Sequence, residues 1–516
     1  MYYLDPITVM SQPTQSSATR DAALAMDGEA FRRLGHSLVE SLATVLDGIS
    51  DRPVTSGNSP AALRDLLGRD RAMPENGDDP ARLLERAVTL LSEHSLFNGH
   101  PKFLGYITAA PAPLGMLGDL LASAINANVG AWRLSPMASE IEAQTVRWIG
   151  ELLRYRSDAA GLFVSGGNMA NIVGLLAARA AVGRRWDVRA RGVGGRDARR
   201  LKVYASAETH TWLQKATDIC GLGTDAIHWV ASTKDQRLDV AALRTAIADD
   251  VASGHVPMLV VGTAGTVSTG VVDPLFAMAD VCREFGVWFH VDGAYGAPAA
   301  AVDGTPHDLQ ALHLADSVAV DPHKWLYAPL EAGCVLVRDA ACLRDAFSYH
   351  PPYYHFDDDH GTNFVDLGPQ NSRGFRALKV WLMLQQAGVA GYRQMIGDDI
   401  ALARRLFDVV STHPRLDACS HHLSITTFRY VPEDLAARWH EPAVATYLNT
   451  LNEALLERLQ TGGRLFVSNA IVHERYLLRA CLVNFRTSAA DIDAIPAIVD
   501  EIGGAIDAAA RPAMLA

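Results

Sequence analysis

The sequence predicts an α/β protein whose larger part carries a mainly parallel sheet and whose C-terminal part is a smaller α+β domain. Three observations lead there. From about residue 160, short apolar runs alternate with helical segments, the pattern of strands joined by crossover helices. Clusters of Gly, Asn, His, Thr, Asp and Lys fall at the ends of those runs, where such sheets bind ligands. Beyond about residue 383 the character changes to a long helix followed by separate strands and a final helix.

The elements follow in order. Residues 1 to about 22 are polar and read as a loose tail. Phe31, Leu34, Leu38, Leu42, Val45 and Leu46 recur at helical spacing and predict a helix over Asp27 to Ile49. The turn-forming cluster 51–59 separates it from a second helix over Asp79 to Ser95. Near Pro111 the chain becomes more apolar. Strands are predicted at 161–164, 201–206, 257–263, 287–292, 315–320 and 333–338, with a helix over Ala170 to Ala181. In the C-terminal part, strands are predicted at 424–430 and 477–485 and a helix from Ala489. The expected division is an N-terminal helical segment 1–112, a large domain 113–382 and a small domain 383–516.

Composition narrows the function. A chain of 516 residues that is 49% hydrophobic and 20% charged can bury a large core. A formal charge of −12 disfavours nucleic-acid or anionic-membrane partners. The arginines at 184, 185, 189 and 191 are diluted by glycines and read as a solvated loop. The six cysteines are scattered without a CxxC pair, which suits a reducing compartment. No signal-peptide pattern or membrane span is visible, so a cytoplasmic location is expected. His350, His355 and His360 recur every five residues, which is not the spacing of a helical metal pair, so no metal is expected.

Five clusters could carry chemistry. Ser165-Gly166-Gly167-Asn168-Met169-Ala170-Asn171 lies between a strand and a helix, as an ordinary turn or an anion site whose N–H groups face a phosphate. It is not GxGxxG, so a dinucleotide site is discounted. His210 follows the second strand and is either structural or catalytic. Thr266 follows the Thr263 strand end, where a ring edge could sit. Asp292 ends an apolar strand, either as a helix N-cap or as partner to a protonated ring nitrogen. Lys324, in Asp321-Pro322-His323-Lys324-Trp325, closes another buried strand and points to an amine that holds a carbonyl cofactor as a Schiff base. Taken together, the fixed order of phosphate turn, stacking histidine, carboxylate and lysine favours one cofactor site.

From Phe97 to Met383 the chain resembles the group II pyridoxal-phosphate (PLP) decarboxylases, and is most similar to their aromatic branch. The likeness is carried by His100–Tyr106, Ser135–Glu142, His290–Tyr295, Pro322–Trp325 and Phe375–Trp381, with weaker support at 478–487. The resemblance implies PLP fold type I, aspartate-aminotransferase-like, with a seven-stranded large-domain sheet. It implies that Lys324 holds PLP, Asp292 pairs with the pyridine nitrogen, and His210 and Ala294 cover the two ring faces. Gly167, Asn168 and His323 would hold the phosphate, with Thr266 near the ring. Asp321 stands where the family usually has Asn, so it would place an extra negative charge near the phosphate unless it faces a basic neighbour.

The resemblance also implies a lid tyrosine that protonates Cα after CO₂ leaves: Tyr353 aligns with it, and Tyr354 is its close rival. Phe in its place accompanies aldehyde formation in this family. Tyr106 and Trp132 match aromatic positions lining the substrate pocket, and Ser372 hints at a phenolic substrate. Arg133 either binds an acidic side chain or forms an interface ion pair. The expected reaction is conversion of an aromatic L-amino acid to its amine and CO₂ by a homodimer with active sites at the interface. The alternatives are an aldehyde synthase, or a decarboxylase of an acidic or diamino acid.

Overall fold

The structure, a computed structural model, describes residues 22–194, 200–349 and 361–515. Seven strands form the large sheet: β1 (Ala160–Val164), β2 (Leu201–Ser206), β3 (Ile227–Val230), β4 (Val256–Thr263), β5 (Trp288–Asp292), β6 (Ser317–Val320) and β7 (Gly333–Val337). Their order is β1-β7-β6-β5-β4-β2-β3. Strands β6, β5, β4, β2 and β3 are mutually parallel, and β7 runs antiparallel to both β6 and β1. The expected α/β architecture with a mainly parallel seven-stranded sheet is therefore present. Runs such as Val256–Thr263 lack polar alternation because helices cover both sheet faces, which leaves the central strands buried.

Four further strands, β8 (Leu416–His422), β9 (Ile425–Tyr430), β10 (Ser468–Val472) and β11 (Arg475–Cys481), form an antiparallel sheet ordered β10-β11-β9-β8. Helices Pro442–Thr461 and Ile495–Ala510 bury leucines, isoleucines and valines against it. The helical stretch Ala377–Ser411 is interrupted at Gly388, whose φ of +61° suits a residue without Cβ.

The described residues up to Asp51 with Asn58–Ser95 form one compact unit, and Arg52–Gly57 with Leu96 onward form the other. In the first unit, helices Gly28–Asp47 and Pro80–His94 start at Asp27 and Asp79, whose carboxylates cap them. In the second, Val54 N–H bonds to the Gly463 carbonyl (2.8 Å) and Val54 packs with Phe103 and Phe466.

Two buried polar ties brace the second unit. Glu142 and Arg373 form an ion pair with almost no exposed surface. Glu142 also accepts from Phe163 N–H (2.9 Å), and Arg373 donates to the Val129 and Phe163 carbonyls (2.6 and 2.7 Å). Satisfying both partners in this way offsets the desolvation such a pair costs. The second tie is Asp399, whose Oδ2 accepts from Trp325 Nε1 (2.9 Å) and Tyr327 O–H (2.8 Å). Burial pushes this carboxyl up to about 7, and the two donors only partly oppose the shift.

An unfolded aspartate titrates near 4, so between about pH 4 and 7 the folded chain holds a proton that the unfolded chain has released. The contribution is complete below pH 4 and is lost as pH rises through 7. Replacing Asp399 with Asn therefore makes the variant gain on the wild type by about 1–3 kcal/mol between pH 5 and pH 8. Urea unfolding at both pH values measures this, and an unchanged difference would remove Asp399 from the pH dependence.

Candidate active site

The C-terminal ends of the parallel strands converge on one cavity. Gly167, Asn168, Asn171, His210, Thr263, Gly265, Asp292, Ala294, Tyr295 and Lys324 all line it. Gly167 and Asn168 begin the helix Gly167–Gly183, whose N-terminus has no side-chain cap, so its first amides point outward. A Cβ on Gly167 would lie 2.5 Å from Asp321 Oδ2 and 2.9 Å from Ala294 Cβ, so only glycine lets these three elements meet.

Asp292 is 7% exposed and lies at the end of β5. Its Oδ2 accepts from Trp212 Nε1 (2.8 Å) and its Oδ1 from Ala294 N–H (3.2 Å). Both donors are neutral, so they orient the carboxylate without cancelling its charge, which remains to partner a ring N–H. His210 keeps one side open to solvent. Its Nδ1 accepts from Trp212 N–H (3.2 Å), which puts the proton of the neutral ring on Nε2. Partial desolvation holds its pKa below the ordinary imidazole value, with Asp292 opposing the shift, so a neutral, stackable ring is favoured.

Lys324 follows β6, its backbone N–H bonded to the Asp321 carbonyl (2.9 Å) and its Nζ 3.1 Å from Asp321 Oδ2. Asp321 thus has a basic neighbour. His323 is anchored through Nδ1 to the Ala332 carbonyl (2.7 Å), and its Cε1 lies 3.3 Å from the position a Cβ on Gly166 would take. Burial depresses its pKa, and the nearby Asp321 acts against that.

Of the remaining expected residues, Thr266 is buried and spends its hydroxyl on Thr269 (3.1 Å) and Val271 N–H (3.2 Å), while Thr263 and Gly265 line the cavity. Tyr106 is 55% exposed, with φ +53° and its ring 6.0 Å from that of Phe466. Trp132 donates from Nε1 to Glu140 (2.7 Å). Neither Tyr106 nor Trp132 lines the cavity. Tyr353, Tyr354 and the histidines 350, 355 and 360 lie outside the described residues.

Sequence reasoning missed Trp212 and Tyr295. Trp212 stands two residues after His210, so one helix start supplies both, but nothing local marks its indole as the partner of Asp292. Tyr295 stacks on Trp325 (5.0 Å) and bonds through its hydroxyl to Ser424 Oγ (2.6 Å), tying the cavity floor to the second sheet. Asn171, the last residue of the first cluster, holds the ring of buried His290 through Oδ1 at 2.7 Å, a partner no local pattern marks. The residues present fit PLP. A lysine amine, a carboxylate with charge to spare, a glycine-lined helix N-terminus and the hydrogen-bond-free Thr263 Oγ1 among the described residues line one cavity or its edge.

The pyridoxal-dependent decarboxylase conserved domain matches residues 60–431. An aromatic-L-amino-acid decarboxylase of Bacillus atrophaeus is 33% identical over 469 residues, spanning 90% of this chain and 94% of the relative. A phenylacetaldehyde synthase of Rosa hybrid cultivar is 28% identical over 480 residues, 91% of this chain and 92% of the relative. The crystal structure of Oryza sativa TDC with PLP and tryptamine matches with a TM-score of 0.85 at 27% identity, covering 93% of this chain and 99% of that one. With its lysine, carboxylate and glycine turn on one cavity, this chain is a PLP-dependent amino-acid decarboxylase and belongs to the pyridoxal-dependent decarboxylase family.

Proposed function

We propose that this enzyme decarboxylates an aromatic L-amino acid to its amine and CO₂, as a homodimer in the cytoplasm. The observation that carries the reaction is the convergence of Lys324, Asp292, His210 and the Gly167 helix start on one cavity. The substrate class rests on the aromatic-amino-acid decarboxylase of Bacillus atrophaeus, similar along nearly the whole chain. The cytoplasmic location rests on six unpaired cysteines, all within the described residues.

Bound PLP supplies the electron sink for the bond broken at Cα. Lys324 contributes the amine that holds it. Asp292, held by Trp212, keeps the ring nitrogen protonated. His210 and Ala294 cover the two ring faces, and the Gly167 N–H, the Asn168 side-chain amide and His323 meet the phosphate. Thr266, buried beside the β4 end, shapes the turn that presents Thr263 and Gly265 to the ring edge. Tyr353 hands a proton to Cα.

The dimer accounts for residues that a single cavity leaves out. Leu117, Leu120, Leu121 and Ile125 are 53, 51, 49 and 66% exposed and share one face of the helix Pro113–Ile125. The glycines beside this row pack tightly, Gly118 against Lys379 and Gly115 against Pro329. An apolar row of this kind suits a self-complementary interface, and Leu134 and Met137 are exposed as well. Tyr106 and Trp132 then serve the substrate pocket of the neighbouring subunit.

A second reading, aldehyde synthase, draws on the similarity to the Rosa phenylacetaldehyde synthase. Assay of PLP-loaded protein against tyrosine, DOPA, tryptophan, phenylalanine, glutamate, aspartate and 2,4-diaminobutyrate separates the readings. CO₂ with equimolar amine from aromatic acids alone is expected; peroxide matching CO₂ would establish the synthase, and turnover of only acidic or diamino acids would overturn the substrate class. Tyr353→Phe should lower amine formation by about 100-fold or more and bring oxygen consumption. If Tyr354→Phe does this instead, the proton donor is the neighbouring tyrosine. Placing glutamates at Leu120 and Leu121 should shift sedimentation from dimer to monomer, and a dimer of unchanged affinity would place the interface elsewhere.

A further inference from the structure

We propose that Asp321 is a resident anion at the phosphate end of the cofactor pocket, pairing with Lys324 and weakening this chain's hold on the phosphate. Asp321 is 2% exposed, and its Oδ2 sits 3.1 Å from Lys324 Nζ and 3.6 Å from His323 Nε2. The same oxygen lies 2.5 Å from where a Cβ on Gly167 would be, against the first residue of an uncapped helix. Its other oxygen, Oδ1, is buried without a hydrogen-bond partner among the described residues. The carboxylate therefore stands where a helix N-terminus would receive a phosphate.

Two effects follow from that position. Like charges a few ångströms apart in a buried site repel more strongly than in water, so a phosphate beside this carboxylate is held less firmly. The Lys324 ammonium, already paired with Asp321, offers less attraction to an incoming anion. An Asn at this position would keep the shape and remove the charge. The chain should therefore take up and release its cofactor more readily than its array of phosphate donors alone would allow.

The inference rests on the phosphate lying at Gly167 and Asn168, and the experiment separates the two ideas. The full-length protein, stripped of cofactor, is titrated with 4′-deoxypyridoxine 5′-phosphate, which lacks the aldehyde and cannot bond covalently to Lys324. Unphosphorylated 4′-deoxypyridoxine is the comparator, and intrinsic tryptophan fluorescence reports Kd. Asp321→Asn should bind the phosphorylated analogue about tenfold or more tightly, and the unphosphorylated one within about threefold of wild type. Asn168→Ala should weaken only the phosphorylated analogue. If that weakening appears but Asp321→Asn leaves both affinities unchanged, or changes both equally, the role given to Asp321 is wrong. If Asn168→Ala has no effect on the phosphorylated analogue, the phosphate placement fails and takes the proposal with it. Circular dichroism verifies folding, and Asp321→Ser replaces the Asn variant if that one does not fold.

Discussion

The turn that follows β6 is the constraint on which the site depends, and one carboxyl oxygen bonds two of its side chains. Lys324 must leave a buried strand and present its amine to the cavity, while Trp325, Leu326 and Tyr327 turn back into the core. Tyr327 adopts a φ of +57°, which a bulky side chain accepts only when its surroundings fix it. Asp399 does so by accepting from the indole of Trp325 and the hydroxyl of Tyr327 together. A helix outside the large sheet therefore bears on where the Lys324 amine stands. Trp325 passes the constraint on by stacking against Tyr295, which lines the same cavity.

The cavity handles charge in two ways. Asp292 is oriented by N–H groups that carry no formal charge, so its negative charge remains available to a ring nitrogen. Asp321 faces a formal cation 3.1 Å away, so its charge is partly spent. Two carboxylates at the ends of neighbouring strands β5 and β6 thus differ through what surrounds them. His290, on the strand carrying Asp292, shows the opposite outcome: enclosed by Asn171 and Ser317, it is driven down to about 4 and serves as a neutral strut.

Much of this could be read in the sequence because strand ends at a binding cavity demand particular residues, and those residues sit next to apolar runs that announce the strands. Gly167, His210, Asp292 and Lys324 were all legible in this way. Their partners were not. Trp212 is 80 residues from Asp292, and Asp399 is 74 from Trp325, so no local pattern marks either bond. Among strands, β3 was missed by residue pattern, since it has four residues and leaves Trp229 41% exposed at the sheet edge; the count of seven came from the resemblance. Strands β8 and β10 are also edge strands: β8 is rich in polar side chains, and β10 buries Ser468 while exposing Ile471, so its alternation of burial does not follow polarity. The break at Gly388 was invisible because a single glycine inside an apolar helical pattern is usually tolerated.

The antiparallel β7 has a mechanical consequence. It begins where the lysine-bearing loop ends, and Gly333 at its start lies so close to Gly166 that a Cβ there would fall 2.5 Å from that backbone. The segment carrying Lys324 and the Gly166–Gly167 turn therefore form one jaw, meeting at a point with no room for a Cβ. On the proposed placement of the cofactor, reshaping the cavity from within that jaw would disturb both ends of its seat. Diversification of substrate choice in this scaffold is thereby steered toward walls outside the jaw, which can change shape while the cofactor's seat stays fixed.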